Sequence, residues 1–218
     1  MAGLTADPFQ AARLVLHLRQ QGVTDPDVLA AMETLDRAAF VEDPALAPLA
    51  FEDAVLPIPC GQVILRPSLT GHLVQALGLK PSSKARVLLV GFGAGYMAAL
   101  LARLAGDVVA VERYRRLVDD GRARMARLGI ENVTLLHGDG LESLAGQGPF
   151  NAIVLAGRVT DLPADLASQL APGGVLAAPI GPPDGPAHLV RITAEGETRH
   201  VPLFQSVPSL APGRAQVL

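Results

Sequence analysis

The stretch that decides the fold is Val87-Leu88-Leu89-Val90-Gly91-Phe92-Gly93-Ala94-Gly95-Tyr96. Its four leading apolar residues predict a buried strand, and three glycines at alternate positions then allow a tight turn and a close approach of the backbone to a ligand. The apolar residues that follow, Met97 to Leu104, predict a helix. Because the free N–H groups and the dipole of a helix N-terminus point into such a turn, the pattern is typical of a nucleotide-type site.

Length and composition favour one α/β domain over residues 1–218. The net charge is −3 and no block of lysine or arginine occurs, so we expect no nucleic-acid partner. The single cysteine, Cys60, excludes a disulfide framework and fits a reducing compartment, which predicts a cytoplasmic protein. The N-terminus lacks a signal-peptide pattern. The apolar run Val87–Ala102 is shorter than the roughly 20 residues that cross a membrane, so we expect no transmembrane segment.

The apolar content is high for a protein with so few charges. Residues of the set AVILMFWYC make up 50% of the chain and charged residues 18%, against roughly 45–50% and 25% in average soluble proteins. Two interpretations stay open at this point. Abundant alanine raises the count with little added hydrophobicity, or part of the surface is covered by a protein partner.

The N-terminal part, residues 1–80, predicts a helical cap followed by a loop. Asp7-Pro8 and Asp25-Pro26 each combine an N-cap residue with proline at the first helical position. The first helix is expected to stop at Gly22. Pro67 begins a third helix, and the proline-punctuated segment Pro44–Pro59 predicts a connection between the second and third helices.

Strands and helices alternate from Arg86 onward, which predicts a doubly wound, mostly parallel sheet in a Rossmann-like core over residues 81–200. The strand candidates are Val87–Val90, Val108–Val111, Val133–Leu136, Ala152–Leu155, Val175–Ala178 and Leu189–Thr193. The helical stretches between them are Met97–Leu104, Tyr114–Leu128, Leu141–Leu144 and Ala164–Leu170. Residues 201–218 carry three prolines and predict an extended tail.

Acidic residues follow two of these strands, where ligands of such sheets bind. Glu112 ends the second strand and is suited to accept both ribose hydroxyls of an adenosine, and Asp139 lies between Gly138 and Gly140 after the third. Each alone is equally consistent with a turn, but together they favour an adenosine-containing ligand. The loop is G-x-G-x-G, and Tyr96 stands where a dinucleotide site has its third glycine. The five histidines show no metal-binding spacing, so we expect no metal.

At this level of detail the chain resembles the protein-L-isoaspartate O-methyltransferases over nearly its whole length. The matching pieces are Leu18–Val23, Ala50–Asp53, Leu56–Ile58, Gly61-Gln62, the Gly91–Tyr96 loop, Val111–Arg113, His137–Gly140, Pro149-Phe150, Ala171–Val175 and Val201–Leu203. The resemblance implies a class I methyltransferase fold that uses S-adenosylmethionine, or holds its product S-adenosylhomocysteine, and methylates the free carboxylate of isoaspartyl residues. It implies a cofactor set of Gly91, Gly93, Gly95, Glu112, Asp139 and Gly140, and a substrate loop of Cys60, Gly61, Gln62, Ile64, Leu65 and Arg66.

Three positions depart from the family pattern. Leu65 stands where the family has the serine that holds the substrate carboxylate, Leu89 replaces an acid that helps to hold the methionine end of the cofactor, and Phe92 replaces a small polar residue. Loss of one positioned donor costs about 10²–10³ in rate. These departures predict weak cofactor binding through Glu112 and the Gly91–Gly95 loop.

Two functions follow from the departures. The first is a catalytically degenerate accessory subunit of a larger protein complex, contacted partly through the apolar tail at residues 201–218. The alternative is an active protein carboxyl methyltransferase in which Arg66 or a backbone amide replaces the serine.

Overall fold

The N-terminal part of the chain is helical, as its proline positions predict. The computed structural model describes residues 8–81, 83–142, 144, 146–193, 196–203 and 207–213. Its first helices are α1 (Pro8–Gln20), α2 (Pro26–Thr34) and α3 (Pro67–Ala76). The carboxylate of Asp25 caps α2, because it accepts hydrogen bonds from the N–H groups of Asp27 (2.9 Å) and Val28 (3.1 Å).

The connection between α2 and α3 has more structure than a proline-punctuated loop. It contains two short 3-10 helices, Arg37–Phe40 and Pro44–Phe51, and then a hairpin of β1 (Leu56–Ile58) and β2 (Gln62–Ile64). The hairpin turn holds Cys60 (φ 63°) and Gly61 (φ 65°) in the left-handed region, which a side chain such as cysteine rarely adopts. This hairpin is the substrate loop of the sequence analysis, and it ends directly before α3.

A seven-stranded sheet forms the centre of the molecule. Its strands are β3 (Arg86–Val90), β4 (Asp107–Glu112), β5 (Val133–His137), β6 (Phe150–Leu155), β7 (Leu170–Ile180), β8 (Ala187–Thr193) and β9 (Gly196–Leu203). They lie in the order β5-β4-β3-β6-β7-β8-β9. The first four pairings are parallel and the last two antiparallel, so the predicted doubly wound, mostly parallel sheet is confirmed.

The helices between the strands are partly as predicted. The structure places α4 at Tyr96–Ala102, α5 at Arg115–Leu128 and a short α6 at Ala164–Ala167. The predicted helix at Leu141–Leu144 is wrong for the described residues there, which lie in turn and irregular conformation. A local cause is Asp139, whose carboxylate accepts a hydrogen bond from the Leu141 N–H (2.9 Å) and thereby closes a turn.

The chain after the sixth predicted strand folds back onto its own domain. Residues 196–203, part of which the sequence analysis assigned to an extended tail, form β9 beside β8. Leu203 (7% exposed) and Val207 (2% exposed) are buried in the core. The described apolar residues at these two positions are therefore covered by the protein itself.

Candidate active site

The carboxyl ends of the central strands border a cavity that is open to solvent, which we call the large cavity. It lies where β3 has β4 on one side and β6 on the other, the switch point at which doubly wound sheets bind ligands. Five of the six predicted cofactor residues line it: Gly91, Gly93, Glu112, Asp139 and Gly140. Gly95 does not line it. That residue precedes α4 with φ 92°, and a Cβ there would lie 2.7 Å from Met125 Cε.

Glu112 is the charged group at the centre of this cavity. Its side chain is 5% exposed, and its two carboxylate oxygens accept hydrogen bonds from the N–H groups of Gly93 (3.0 Å), Arg113 (2.8 Å) and Tyr114 (3.2 Å). Burial raises the pKa of the Glu112 carboxyl, and the three backbone hydrogen bonds oppose that rise. A carboxylate has about four acceptor sites, so it keeps capacity for a hydroxyl of a ligand.

Glycine is required at Gly91 and Gly140 by the space around them. Gly91 has φ 79°, and a Cβ on it would lie 2.8 Å from Leu210 Cδ2. A Cβ on Gly140 would lie 2.6 Å from Val90 Cγ1, closer than carbon atoms can approach without displacement. Both positions lie on the cavity wall, so backbone rather than side chains forms this part of its surface.

Residues 207–213, which we call the closing segment, lie across one side of the cavity. Leu210 packs against the surface left bare by Gly91 and Gly157. The Arg158 N–H donates to the Pro208 carbonyl (2.7 Å), and the Leu210 N–H donates to the Arg158 carbonyl (2.8 Å). The Gly213 N–H donates to the second carboxylate oxygen of Asp139. The acid predicted to face an adenine amino group therefore already accepts a hydrogen bond from the protein's own backbone.

The substrate loop divides between three environments. Gln62 lines the large cavity, and its Nε2 donates to the Cys60 carbonyl (3.1 Å) and the Tyr114 hydroxyl (3.4 Å). Ile64 and Leu65 line a second, smaller cavity, which we call the inner cavity. Arg66 turns away from both, because its guanidinium donates to the Asp53 carbonyl (2.8 Å) and lines a different cavity, beside α1. Arg66 is therefore not placed to substitute for the serine, contrary to one expectation.

Leu89 and Phe92 do not line the large cavity. Leu89 is fully buried in the core and is not among the residues that line the large or the inner cavity. The ring of Phe92 is directed toward α5, since a Cβ on Gly121 would lie 3.0 Å from Phe92 Cε2. Phe92 lines the inner cavity and not the large one, so it does not crowd the large cavity.

Cys60 and the histidines give no sign of a reactive or metal-binding centre. Burial raises the pKa of the Cys60 thiol, against a smaller opposing effect of Arg116, so the reactive thiolate is disfavoured at neutral pH. Among the described residues there is no group of three or more His, Cys, Asp or Glu arranged to hold a metal ion. A search of the same residues finds no helix that is both long and apolar enough to cross a membrane.

Arg37 is a site residue that sequence reasoning missed. Its side chain is 1% exposed, and its guanidinium donates to the carbonyls of Ala50 (2.8 Å), Ala54 (3.0 Å) and Leu65 (3.0 Å). It thereby fastens the end of the substrate loop to the segment before the hairpin. A single arginine in a short polar stretch carries no periodic signal that could have indicated this role.

Deletion of residues 209–218 is expected to lower the melting temperature by about 4–8 °C. The truncated chain loses the packing of the half-buried Leu210 and the hydrogen bonds from Leu210 to Arg158 and from Gly213 to Asp139. Together these contacts contribute about 2 kcal/mol to the free energy of unfolding. For a chain of this size, each kcal/mol corresponds to about 2–4 °C in melting temperature. Differential scanning calorimetry measures the change. Leu210→Ala, which keeps both backbone hydrogen bonds, should lose about half as much. Unchanged melting of the truncated chain would show that these contacts contribute nothing.

The sheet order and the site at its switch point define a methyltransferase of class I, the group with this doubly wound core. A family model described as Protein-L-isoaspartate(D-aspartate) O-methyltransferase matches residues 10–205. A protein-L-isoaspartate O-methyltransferase of Xanthobacter autotrophicus is 43% identical over 96% of each chain, and that of Azorhizobium caulinodans is 39% identical over 96% of this chain and all of its own. The chain belongs to the protein-L-isoaspartate O-methyltransferase family.

Solved structures agree with this assignment. The crystal structure of a Plasmodium falciparum protein-L-isoaspartate O-methyltransferase in complex with S-adenosyl-L-homocysteine has a TM-score of 0.74 and 26% identity, over 91% of this chain and 97% of that one. A second protein-L-isoaspartate O-methyltransferase has a TM-score of 0.72 and 27% identity, over 91% of this chain and 67% of the other.

Proposed function

We propose that this protein is an active S-adenosylmethionine-dependent methyltransferase that esterifies the free carboxylate of L-isoaspartyl residues. The observation that carries the proposal is the buried Glu112 carboxylate in a cavity that Gln62 of the substrate loop also lines. Relatives that carry this activity in their names match almost the whole chain. The active enzyme is therefore favoured over the degenerate accessory subunit, for which the comparisons offer no support.

The residues present fit the cofactor. Glu112 has acceptor capacity for ribose hydroxyls, and Gly91, Asp139 and Gly140 line the same cavity. When bound, S-adenosylmethionine supplies a methyl group on a positively charged sulfur. The substrate carboxylate is ionised at neutral pH, since its pKa is about 3.9, so the protein has to orient it and needs no general base.

A tritiated-methyl assay tests the proposal on two synthetic peptides that differ only in an L-isoaspartyl or an L-aspartyl residue. We expect base-labile methyl ester on the isoaspartyl peptide alone. Glu112→Gln protein, prepared in parallel from the same host, shows whether a host enzyme contributes to the signal. Absence of ester above that control from the wild-type protein would contradict the proposal.

The strength of cofactor binding and the partner stay predictions. Weak binding of the cofactor is predicted because Leu89 replaces an acid. Calorimetry with S-adenosylhomocysteine measures the dissociation constant, and a value near or below micromolar would contradict the prediction. A fixed protein partner and a cytoplasmic location are tested by isolation from native cells followed by sizing.

A further inference from the structure

The inner cavity contains a hydroxyl group that the proposed chemistry has not used. Val63, Gly91 and Ala156 line both this cavity and the large one, so the two adjoin where the substrate loop meets the glycine loop. Leu65, Phe92 and other apolar side chains form most of the inner wall. A substrate carboxylate that entered here from the substrate loop would meet few groups able to donate a hydrogen bond.

On the α3 side of this cavity, Thr70 is a residue that can donate a hydrogen bond. It lies in the second turn of α3 and is 1% exposed. Among the described residues its hydroxyl makes no hydrogen bond. The hydroxyl of Thr34 behaves as helical threonines usually do, since it donates to the Ala30 carbonyl of its own helix (2.9 Å), and the Ser68 hydroxyl donates to Asp53 (2.8 Å).

A hydroxyl that lines an apolar cavity and has no partner among the described residues is free to bind a ligand group, and native proteins seldom leave such a hydroxyl unexplained. Resting on the proposed function, we propose that Thr70 binds the substrate, and that its hydroxyl donates a hydrogen bond to the isoaspartyl carboxylate and orients it. Leu65 lines the same cavity and cannot donate. Hydrogen bonds to an ionised acceptor are about twice as strong as neutral ones, and the apolar surroundings make this donor matter more.

The reaction that Thr70 would serve needs no proton transfer. One carboxylate oxygen forms a bond to the methyl carbon while the bond from that carbon to sulfur breaks, and the electron pair of the broken bond stays on sulfur. Thr70 keeps its own proton throughout and acts by fixing the direction of the oxygen.

Tyr96 is the competing donor in the same cavity. Its hydroxyl is buried and has no hydrogen-bond partner in the described part of the chain. Burial raises the pKa of Tyr96 to about 12, so the hydroxyl is a neutral donor at neutral pH. Its ring packs edge-to-face on Phe40, with centroids 5.5 Å apart, and lies 5.8 Å from the Arg37 guanidinium carbon. Tyr96→Phe therefore serves as the comparison variant.

The test compares Thr70→Val, which has the same shape without the hydroxyl, with Thr70→Ser, which keeps it. We expect Thr70→Val to lower kcat/KM for the isoaspartyl peptide by about 10- to 150-fold, the value of one hydrogen bond to a charged group. The loss should appear in both KM and kcat, because the hydrogen bond both binds the carboxylate and orients it. Thr70→Ser should stay near the wild type, and Tyr96→Phe should lose less than Thr70→Val does. The affinity for S-adenosylhomocysteine, measured by calorimetry, should be unchanged in all three variants, which a general loss of structure would not allow.

Calorimetric titration of the peptide into protein saturated with S-adenosylhomocysteine separates this proposal from the proposed function. If the wild type binds the peptide without methylating it, weaker binding by Thr70→Val still supports the carboxylate site although the proposed activity fails. Wild-type peptide affinity in Thr70→Val overturns the role of Thr70, as does a loss that appears in Tyr96→Phe instead. A wild-type protein that neither binds nor methylates the peptide overturns both proposals.

Discussion

Glu112→Gln is expected to weaken S-adenosylhomocysteine binding by about 10- to 150-fold, because a hydrogen bond to a charged acceptor is replaced by one to a neutral amide. A second effect adds to the loss. The carboxylate accepts from Gly93 on one oxygen and from Arg113 and Tyr114 on the other. The NH₂ group of a glutamine amide cannot accept a hydrogen bond. Whichever way the amide is oriented, at least one of these backbone N–H groups therefore faces another donor. Isothermal titration calorimetry measures the affinity.

The matched control is Glu42→Gln, at an exposed glutamate that pairs with Arg116 (3.2 Å) far from the cavity wall. The affinity of Glu42→Gln for S-adenosylhomocysteine should equal that of the wild type.

Because burial raises the pKa of the Glu112 carboxyl, its protonation begins at a higher pH than for an exposed glutamate. The wild-type affinity should therefore fall as the pH falls through this raised pKa, and the affinity of Glu112→Gln should show no such fall. Equal affinities of Glu112→Gln and wild type at neutral pH would remove Glu112 from the site.

Arg37→Met is expected to destabilise the fold by about 3–5 kcal/mol, because three backbone carbonyls lose their donor and an unsatisfied buried acceptor costs about 1–3 kcal/mol. The substitution roughly keeps the side-chain length but leaves the carbonyls of Ala50, Ala54 and Leu65 without their donor. The melting temperature should fall by about 6–20 °C, at about 2–4 °C per kcal/mol for a chain of this size.

Arg13→Met is the control for that experiment. Arg13 pairs with Glu52 at the surface, and its side chain is 65% exposed, so its loss should cost less than about 1 kcal/mol. Arg37→Lys should lie between the two, because a single ammonium cannot reproduce the fork of a guanidinium. If Arg37→Met melted like Arg13→Met, the three hydrogen bonds would not be holding the loop.

The parts of the fold that could be predicted are those with local periodicity. The apolar run before Gly91 and the glycines after it specify the strand, the turn and the helix that follow, and the acid at Glu112 falls at the end of the next strand by the same alternation. The helix expected at Leu141–Leu144 is wrong for the described residues there, where the Asp139 carboxylate accepts a hydrogen bond from the Leu141 N–H. Such a competing hydrogen bond is invisible in a count of apolar positions.

The parts of the site that could not be predicted depend on distant pairings. Arg37 reaches Leu65 across 28 positions of sequence, and Thr70 meets Phe92 only because α3 packs beside the glycine loop. The direction of the Phe92 ring could not be predicted from the sequence either, because the ring lies in the space that Gly121 leaves on α5. Residues that are brought together by tertiary packing leave no spacing to read in the chain.

The hydrogen bond from Gly213 to Asp139 has a consequence for any affinity measured on this protein. A carboxylate oxygen has two lone pairs, and a ligand whose amino group needs the lone pair that Gly213 uses can bind in full only to molecules in which the closing segment has released it. Its apparent dissociation constant is then the intrinsic constant divided by the fraction of molecules in that released state. Weak binding to the intact chain would in that case report a self-occupied acceptor, and the adenosine half of the cavity could be well formed all the same.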